Sequence, residues 1–299
     1  MTLKEPALAN NLPYLSPIRL LQHCDIEIDT IPNVSRLKKQ LNAEFDLANG
    51  GVIEIDKYAY NKSDVLTEIE HPDFATRYTY HQRIWERKFL LTFLEDNLLN
   101  MSELEPDLRH FANDDYFEHF ISSYFGIAFY QVSRALLNPP SLNELADLLR
   151  CEDFIKAEDR SDAFKAIRIY LDDTMRILKN SNAQSYRSNR PQLVLWMYGG
   201  GNFLNNLPVE FYEDKADVVL NFINLTVRIQ KTDRNDCKEI SNQLIIVDDL
   251  PDDLRTLIKN NHQVFHNIPQ PGASSSSGNV NWGWIIWLIL ILARILVRC

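Results

Sequence analysis

Apolar side chains recur every three or four positions through most of the chain, which is the spacing of one face of an α-helix. The clearest stripe lies within residues 116–137 and consists of Phe117, Ile121, Tyr124, Ala128 and Val132. Residues 81–99 are apolar nearly all round, so we expect one central, buried helix there. The pattern predicts helices over residues 35–47, 64–69, 81–99, 116–137, 160–178 and 217–229.

Turn residues and short apolar runs punctuate these helices. Asn138-Pro139-Pro140 ends one helix, and Ser141 with Glu144 has the spacing of a capping box for the next. Residues 52–55 alternate weakly and predict a short strand. Residues 193–198 and 244–247 each fit a strand or a buried turn of helix, and Gly199-Gly200-Gly201 after the first predicts a loop or helix break.

The predicted fold is therefore mainly α, with at most a few short strands. Only nine glycines in 299 residues disfavour β-rich and glycine-loop architectures. A stretch at 180–190 is a candidate boundary between two helical parts of the body. We divide the chain into an unstructured lead (1–12), a helical body (13–266), a Pro/Gly/Ser linker (267–281) and a membrane anchor (282–297).

The anchor prediction rests on an apolar run in which Arg294 is the one charged residue from 282 to 297. A helix of this length reaches about 24 Å, against a hydrocarbon core of about 30 Å. Local thinning and snorkelling of Arg294 reduce that deficit. The N-terminal end of the anchor is aromatic, with Trp282, Trp284 and Trp287, and its C-terminal end is basic, with Arg294 and Arg298. Leu290 lies in the apolar middle.

These features predict a single transmembrane helix instead of an in-plane anchor, because residues 282–293 have no polar face. The sequence 1–12 lacks the features of a secretory signal, so we expect a tail-anchored topology with the bulk of the chain in the cytoplasm. That topology is a resemblance in layout alone. Cys299 lies beside the expected membrane surface and is a candidate for lipidation.

Charge and cysteine content narrow the partners. The chain has 31 Lys and Arg against 41 Asp and Glu, and without Arg294 and Arg298 the balance is 29 − 41 = −12. An acidic body disfavours nucleic acid and electrostatic docking to anionic lipid. Membrane lipid around the anchor and an unidentified protein are the expected partners. The four cysteines lie far apart, which predicts reduced thiols and no zinc motif.

The densest polar cluster lies at residues 107–119. In a continuous helix, its histidines and carboxylates would fall one turn apart, as in some metal sites. Asn113-Asp114 instead has the pattern of a helix start, which predicts a solvated capping region. The weak metal candidates are His110, Asp114, Asp115, Glu118 and His119.

Other chemical motifs are weaker. His262 and His266 lie one turn apart but lack the Glu of a zinc-protease helix. The carboxylates of residues 248–253 lack the glycine of a calcium loop, and we expect Asp252 or Asp253 to support a helix N-terminus. Neither a nucleophile motif nor a cofactor motif stands out, so catalysis is not the favoured activity.

These observations favour a membrane-tethered helical interaction or scaffold protein that recruits partners to a membrane surface. One alternative is a membrane-perturbing effector whose body clusters the C-terminal tails. A weaker alternative is a membrane-localised, metal-dependent enzyme using residues 107–119. No motif identifies a family.

Overall fold

A computed structural model describes residues 13–48 and 51–266. Within them the prediction of a mainly helical fold is confirmed: fifteen α-helices accompany one two-stranded sheet. The strands are β1 (Val52–Ile55) and β2 (Tyr58–Asn61). The helices are α1 (Pro17–His23), α2 (Val34–Leu47), α3 (Lys62–Ile69), α4 (Phe74–Trp85), α5 (Lys88–Asp96), α6 (Met101–Arg109), α7 (Asp115–Leu136), α8 (Leu142–Leu149), α9 (Ala157–Ala163), α10 (Lys165–Asn180), α11 (Tyr186–Leu193), α12 (Trp196–Asn205), α13 (Tyr212–Ile229), α14 (Arg234–Leu244) and α15 (Asp252–His266).

The strand predicted at Val52–Ile55 is confirmed, and its antiparallel partner is β2. Val52 pairs with Asn61 and Ile55 with Tyr58, so a two-residue turn joins the strands. Asp56 in that turn has a φ of 54°, the left-handed conformation that Asp tolerates. This hairpin leads directly into α3.

The single helix predicted over residues 81–99 is wrong, because α4 ends at Trp85 and α5 begins at Lys88. Arg87 leaves the helical conformation, with φ −106° and ψ 88°. The Asp107 carboxylate accepts hydrogen bonds from the amides of Phe89 and Leu90, at 3.1 Å each. A side chain from α6 thus caps α5, and the apolar spacing alone does not reveal such a long-range cap.

The helix predicted over residues 160–178 is likewise two helices, α9 and α10, which meet at Phe164. Phe164 is fully buried and its ring packs edge-on against Phe129 and Phe211, with centroid distances of 5.3 and 5.8 Å. At this break the Phe164 ring contacts both α7, through Phe129, and the segment just before α13, through Phe211.

The prediction of a loop or break at Gly199-Gly200-Gly201 is also wrong, because all three glycines lie inside α12. A Cβ on Gly201 would lie 2.5 Å from the Gln243 carbonyl oxygen of α14. The glycines therefore permit close packing of helices, and this tertiary contact outweighs a helix cost of about 1 kcal/mol per glycine.

All three predicted helix starts are found, but one of them lacks its predicted cap. Asp114 caps α7 by accepting the Phe117 amide at 3.1 Å, and α15 begins at Asp252 with Asp253 in its first turn. Ser141 stands before α8 but makes no side-chain cap hydrogen bond, so the predicted capping box does not form.

Contacts assemble the described residues up to Phe265 into one compact unit. Helices on the two sides of residues 180–190 pack against each other: α8 with α12, and α10 with α13. None of the helices in the described residues is both long and apolar enough to cross a membrane. The lead (1–12), the linker (267–281) and the anchor (282–297) lie outside the described residues.

Candidate functional site

The polar cluster predicted at residues 107–119 is divided by the end of α6 and the start of α7. His110 follows the last residue of α6, whereas Asp114 precedes α7. Asp114 accepts hydrogen bonds from the Tyr80 hydroxyl at 2.9 Å and from Arg83 at 3.2 Å. Burial would raise the pKa of Asp114, but hydrogen bonds from the Phe117 amide, Tyr80 and Arg83 outweigh it and lower that pKa.

Asp115 and Glu118 form ion pairs with Lys156, and His119 lies beside Asp115. Lys156 lies 3.1 Å from Asp115 and 2.6 Å from Glu118, and His119 lies 3.5 Å from Asp115. Across residues 13–48 and 51–266, no three His, Cys, Asp or Glu side chains are grouped to hold a metal ion. The anchor candidates Trp282, Trp284, Trp287, Leu290, Arg294 and Arg298, with Cys299, lie outside the described residues.

A cleft of about 260 Å³ lies in the N-terminal part of the body. It is formed by the segment that leads into α1, by β2 and by helices α3, α4 and α7. Most of its wall is apolar, with a few polar groups, which is the usual composition of a ligand pocket. Its lining residues are Pro13, Leu15, Pro17, Ala59, Tyr60, Asn61, Asp64, Val65, Glu68, His81 and Tyr124.

One end of the cleft is built from a hydrogen-bonded chain that we call the carboxylate network, consisting of Tyr14, Glu68, Arg77 and His81. The Tyr14 hydroxyl lies 2.9 Å from His81 Nδ1, and His81 Nε2 lies 3.0 Å from Glu68 Oε1. Arg77 donates from Nε to Oε1 and from Nη2 to Oε2 of Glu68, both at 2.6 Å.

One assignment of protons satisfies these groups. Neutral His81 donates from Nε2 to the Glu68 carboxylate and accepts the Tyr14 hydroxyl at Nδ1. Burial lowers the pKa of His81, which keeps the ring neutral despite its carboxylate partner. Burial would raise the pKa of Glu68, but hydrogen bonds from His81 and Arg77 outweigh it and lower that pKa to about 2.

The tyrosines of this region are not activated for proton transfer. Burial, together with the nearby Glu95 carboxylate, raises the pKa of Tyr14 well above its ordinary value. Burial also raises the pKa of Tyr124. A phenol with a raised pKa is a poor nucleophile and a poor acid near neutral pH. The network therefore fixes the wall of the cleft, and its geometry suits binding.

A second depression, of about 430 Å³, is shallower and lies at the start of α14. Its main charged groups bind each other: Arg190 Nε lies 2.6 Å from Asp236 Oδ2, and the Tyr186 hydroxyl donates to the same oxygen at 2.8 Å. These contacts fasten α11 to α14. The cleft beside the carboxylate network is the better-formed candidate site.

The sequence did not point to this cleft. Tyr14 and His81 are 67 positions apart, and Glu68 and His81 belong to different helices. The available signal was a histidine at the head of a strongly apolar stretch, which usually means a buried ring with hydrogen-bond partners. Nothing in the spacing identifies those partners.

No family model, curated protein or solved structure matches the chain.

Proposed function

We propose that the protein is a membrane-tethered binding protein, in which residues 282–297 anchor a helical body that recruits a partner to a membrane surface. The observation that carries the proposal is the order of three segments. A compact body extends to Phe265, a Pro/Gly/Ser stretch follows at 267–281, and then comes the apolar run interrupted only by Arg294.

The composition of residues 267–281 supports a tether. A Gly/Ser-rich chain of this length has an end-to-end distance of about 20 Å. A body held at that distance from a bilayer meets membrane partners at a raised effective concentration without any added contact. The binding half of the proposal rests on the preformed cleft beside the carboxylate network.

The charge of the body narrows the mode of recruitment. Its balance of −12 repels anionic lipid, so attachment falls to the apolar segment. The same charge favours a partner with a basic or neutral surface over nucleic acid.

The anchor is tested by comparing two charge insertions of equal size. Leu288→Lys with Leu290→Lys places two ammonium groups in the apolar run, at a cost of about 2.5–3.5 kcal/mol each. Ser274→Lys with Ser276→Lys adds the same charge to the linker. We expect wild type and the linker variant to stay with membranes after alkaline carbonate extraction, and the anchor variant to be released.

Recruitment is tested by proximity labelling with the same three proteins. We expect membrane proteins labelled by wild type and the linker variant to be lost with the anchor variant. Retention of the anchor variant in membranes would disprove the anchor. An unchanged labelled set despite its release would disprove recruitment through the anchor.

A further inference from the structure

The cleft beside the carboxylate network combines three kinds of wall. Its lining consists of apolar side chains, two phenol rings and two carboxylates. Rings together with carboxylates are the surroundings that bind organic ammonium groups in proteins. In that order the groups are Pro13, Leu15, Pro17 and Val65, then Tyr60 and Tyr124, then Asp64 and Glu68.

No lysine or arginine lines the cleft among the residues that the structure describes. The basic groups beside it are paired with carboxylates. Lys62 lies 2.6 Å from Asp46, and Arg19, which contacts Tyr60, lies 2.5 Å from Glu95. Arg77 is bidentate to Glu68, which itself lines the cleft. His81 is neutral because burial lowers its pKa. An anionic ligand would therefore meet no cationic wall.

The two carboxylates differ in their remaining capacity. Arg77 neutralises most of the Glu68 charge, but Glu68 Oε2 accepts one described hydrogen bond and has a lone pair left for another donor. Asp64 lies at the exposed rim and accepts from neutral groups, Asn61 Nδ2 at 3.3 Å and Ser63 Oγ at 3.2 Å. No described basic side chain forms an ion pair with it, so the cleft carries a net negative charge.

The rings supply the second attraction. Tyr60 is held by its hydroxyl, which donates to the Ser16 carbonyl at 3.0 Å. Tyr124 is packed edge-on against Tyr14, with 5.3 Å between ring centroids. Both rings line the cleft and are held by these contacts, although Tyr60 is only 2% exposed. The attraction of a cation to an aromatic face grows as water is excluded.

From these contacts we propose that the cleft binds an organic ammonium ion on a small apolar body. The ammonium group lies between the tyrosine rings and the Asp64 and Glu68 carboxylates, and the apolar body packs against Leu15 and Val65. This inference names the ligand class for the binding half of the proposed function. It does not depend on the anchor.

The charge requirement is tested with three ligands of similar size and different charge. The purified full chain, in neutral maltoside micelles, is titrated calorimetrically with butyltrimethylammonium, n-butanol and butyrate. We expect the cation to bind at least tenfold more tightly than the alcohol, and butyrate to bind least. Equal binding of the cation and the alcohol, or no cation binding at millimolar concentration, would overturn the proposal.

Two exposed aspartates provide a matched pair of variants. Asp64→Asn removes the rim charge and should weaken cation binding up to about fivefold, with butanol unaffected. Asp73→Asn removes a charge outside the cleft and should change neither affinity. Equal weakening of cation binding by both variants would show that overall charge, and not the cleft, governs binding.

The ammonium group has two chemical sources, a free amine or a lipid headgroup. Phosphocholine carries the headgroup without acyl chains and serves as a competitor. Displacement of butyltrimethylammonium by phosphocholine supports a headgroup, whereas displacement by n-butylamine alone supports a free amine. If the wild-type chain resists carbonate extraction but binds none of these ammonium compounds, this inference is contradicted and the proposed anchor is not.

Discussion

Two regions of the body hold their helices together by opposite means. The carboxylate network connects three parts of the chain: the segment just before α1, helix α3 and helix α4. Its polar contacts join Tyr14, Glu68, Arg77 and His81. The glycine interface, by which we mean α12 packed against α8 and α14, relies on the absence of side chains at Gly199 and Gly201. One region is held by charge and hydrogen bonds, the other by shape.

The difference predicts different weaknesses. Removing one partner from the carboxylate network leaves a half-buried charge or donor unsatisfied. Because Glu68 and His81 titrate, the stability that the network contributes depends on pH. The glycine interface has no ionised group at its closest contact, where the Gly201 amide also donates to Gln243 Oε1 at 3.0 Å. Its stability depends on side-chain volume instead, and pH leaves that contact unchanged.

Adding one methyl group to the glycine interface should give the largest effect. A Cβ on Gly201 would lie 2.5 Å from the Gln243 carbonyl oxygen and 2.6 Å from Ile246 Cγ1. Because the nearer atom belongs to the backbone, α12 and α14 must separate. We expect Gly201→Ala to lower the free energy of unfolding by about 3 kcal/mol in urea denaturation.

The matched control is Gly126→Ala in α7, where the nearest atoms to an added Cβ are 3.6 Å away. That contact is ordinary, and alanine is the better helix former, so we expect a gain of about 0.5–1 kcal/mol. Similar losses at the two positions would mean that the approach of α12 to α14 is not limiting.

Neutralising Glu68 should have the next largest effect. Glu68→Gln leaves Arg77 half-buried without its ion-pair partner, and we expect a loss of about 2 kcal/mol at pH 7, discounted for partial exposure. Glu70→Gln is the control, because its ion pair with Lys38 is exposed and should contribute less than about 0.5 kcal/mol. Equal losses would show that the network is no stronger than a surface pair.

Acid should weaken the carboxylate network and leave the glycine interface unchanged. The pKa of Glu68 is lowered from 4.5 to about 2, so its contribution is complete above 4.5 and is lost as pH falls toward 2. The pKa of His81 is lowered from 6.5, so protons bound by the unfolded chain also reduce stability below that pH. Both signs agree.

The measurement is the free energy of unfolding from pH 7 to pH 3 for wild type and Glu68→Gln. We expect the deficit of the variant to narrow as pH falls below 4.5, because Glu68 binds a proton in unfolded wild type while it stays ionised in the folded protein. The deficit of Gly201→Ala should stay constant over that range. A constant deficit for Glu68→Gln would contradict the assignment of an ionised, network-bound Glu68.

The same contrast explains what the sequence could predict. The helix predicted over residues 116–137 is found as α7, because one stripe of apolar residues packs on one core. Local periodicity carries that information. The breaks at Arg87 and Phe164 depend on Asp107 and Phe211, which are distant in sequence, so the local pattern cannot reveal them.

The candidate site was harder to predict than the fold. The apolar pattern places His81 in a buried helix, but its contacts with Tyr14 and Glu68 require the relative placement of three segments. The prediction of a loop at the glycines of α12 is wrong for the same reason, because the sequence does not reveal the neighbouring helix that requires glycine there. Both regions depend on tertiary contacts.

The smallest expected effects concern two helix starts that the sequence treated alike. Asp114 accepts the Phe117 amide and also binds Tyr80 and Arg83, which links α7 to α4 beside the carboxylate network. We expect Asp114→Ala to lower the free energy of unfolding by about 1–2 kcal/mol.

Ser141 precedes α8, beside the glycine interface, and makes no side-chain cap hydrogen bond. Ser141→Ala should therefore change the free energy of unfolding by less than about 0.5 kcal/mol. Thermal unfolding followed by circular dichroism measures both. A larger loss from Ser141→Ala would mean that polar capping also holds the glycine interface, and the contrast between the two regions would fail there.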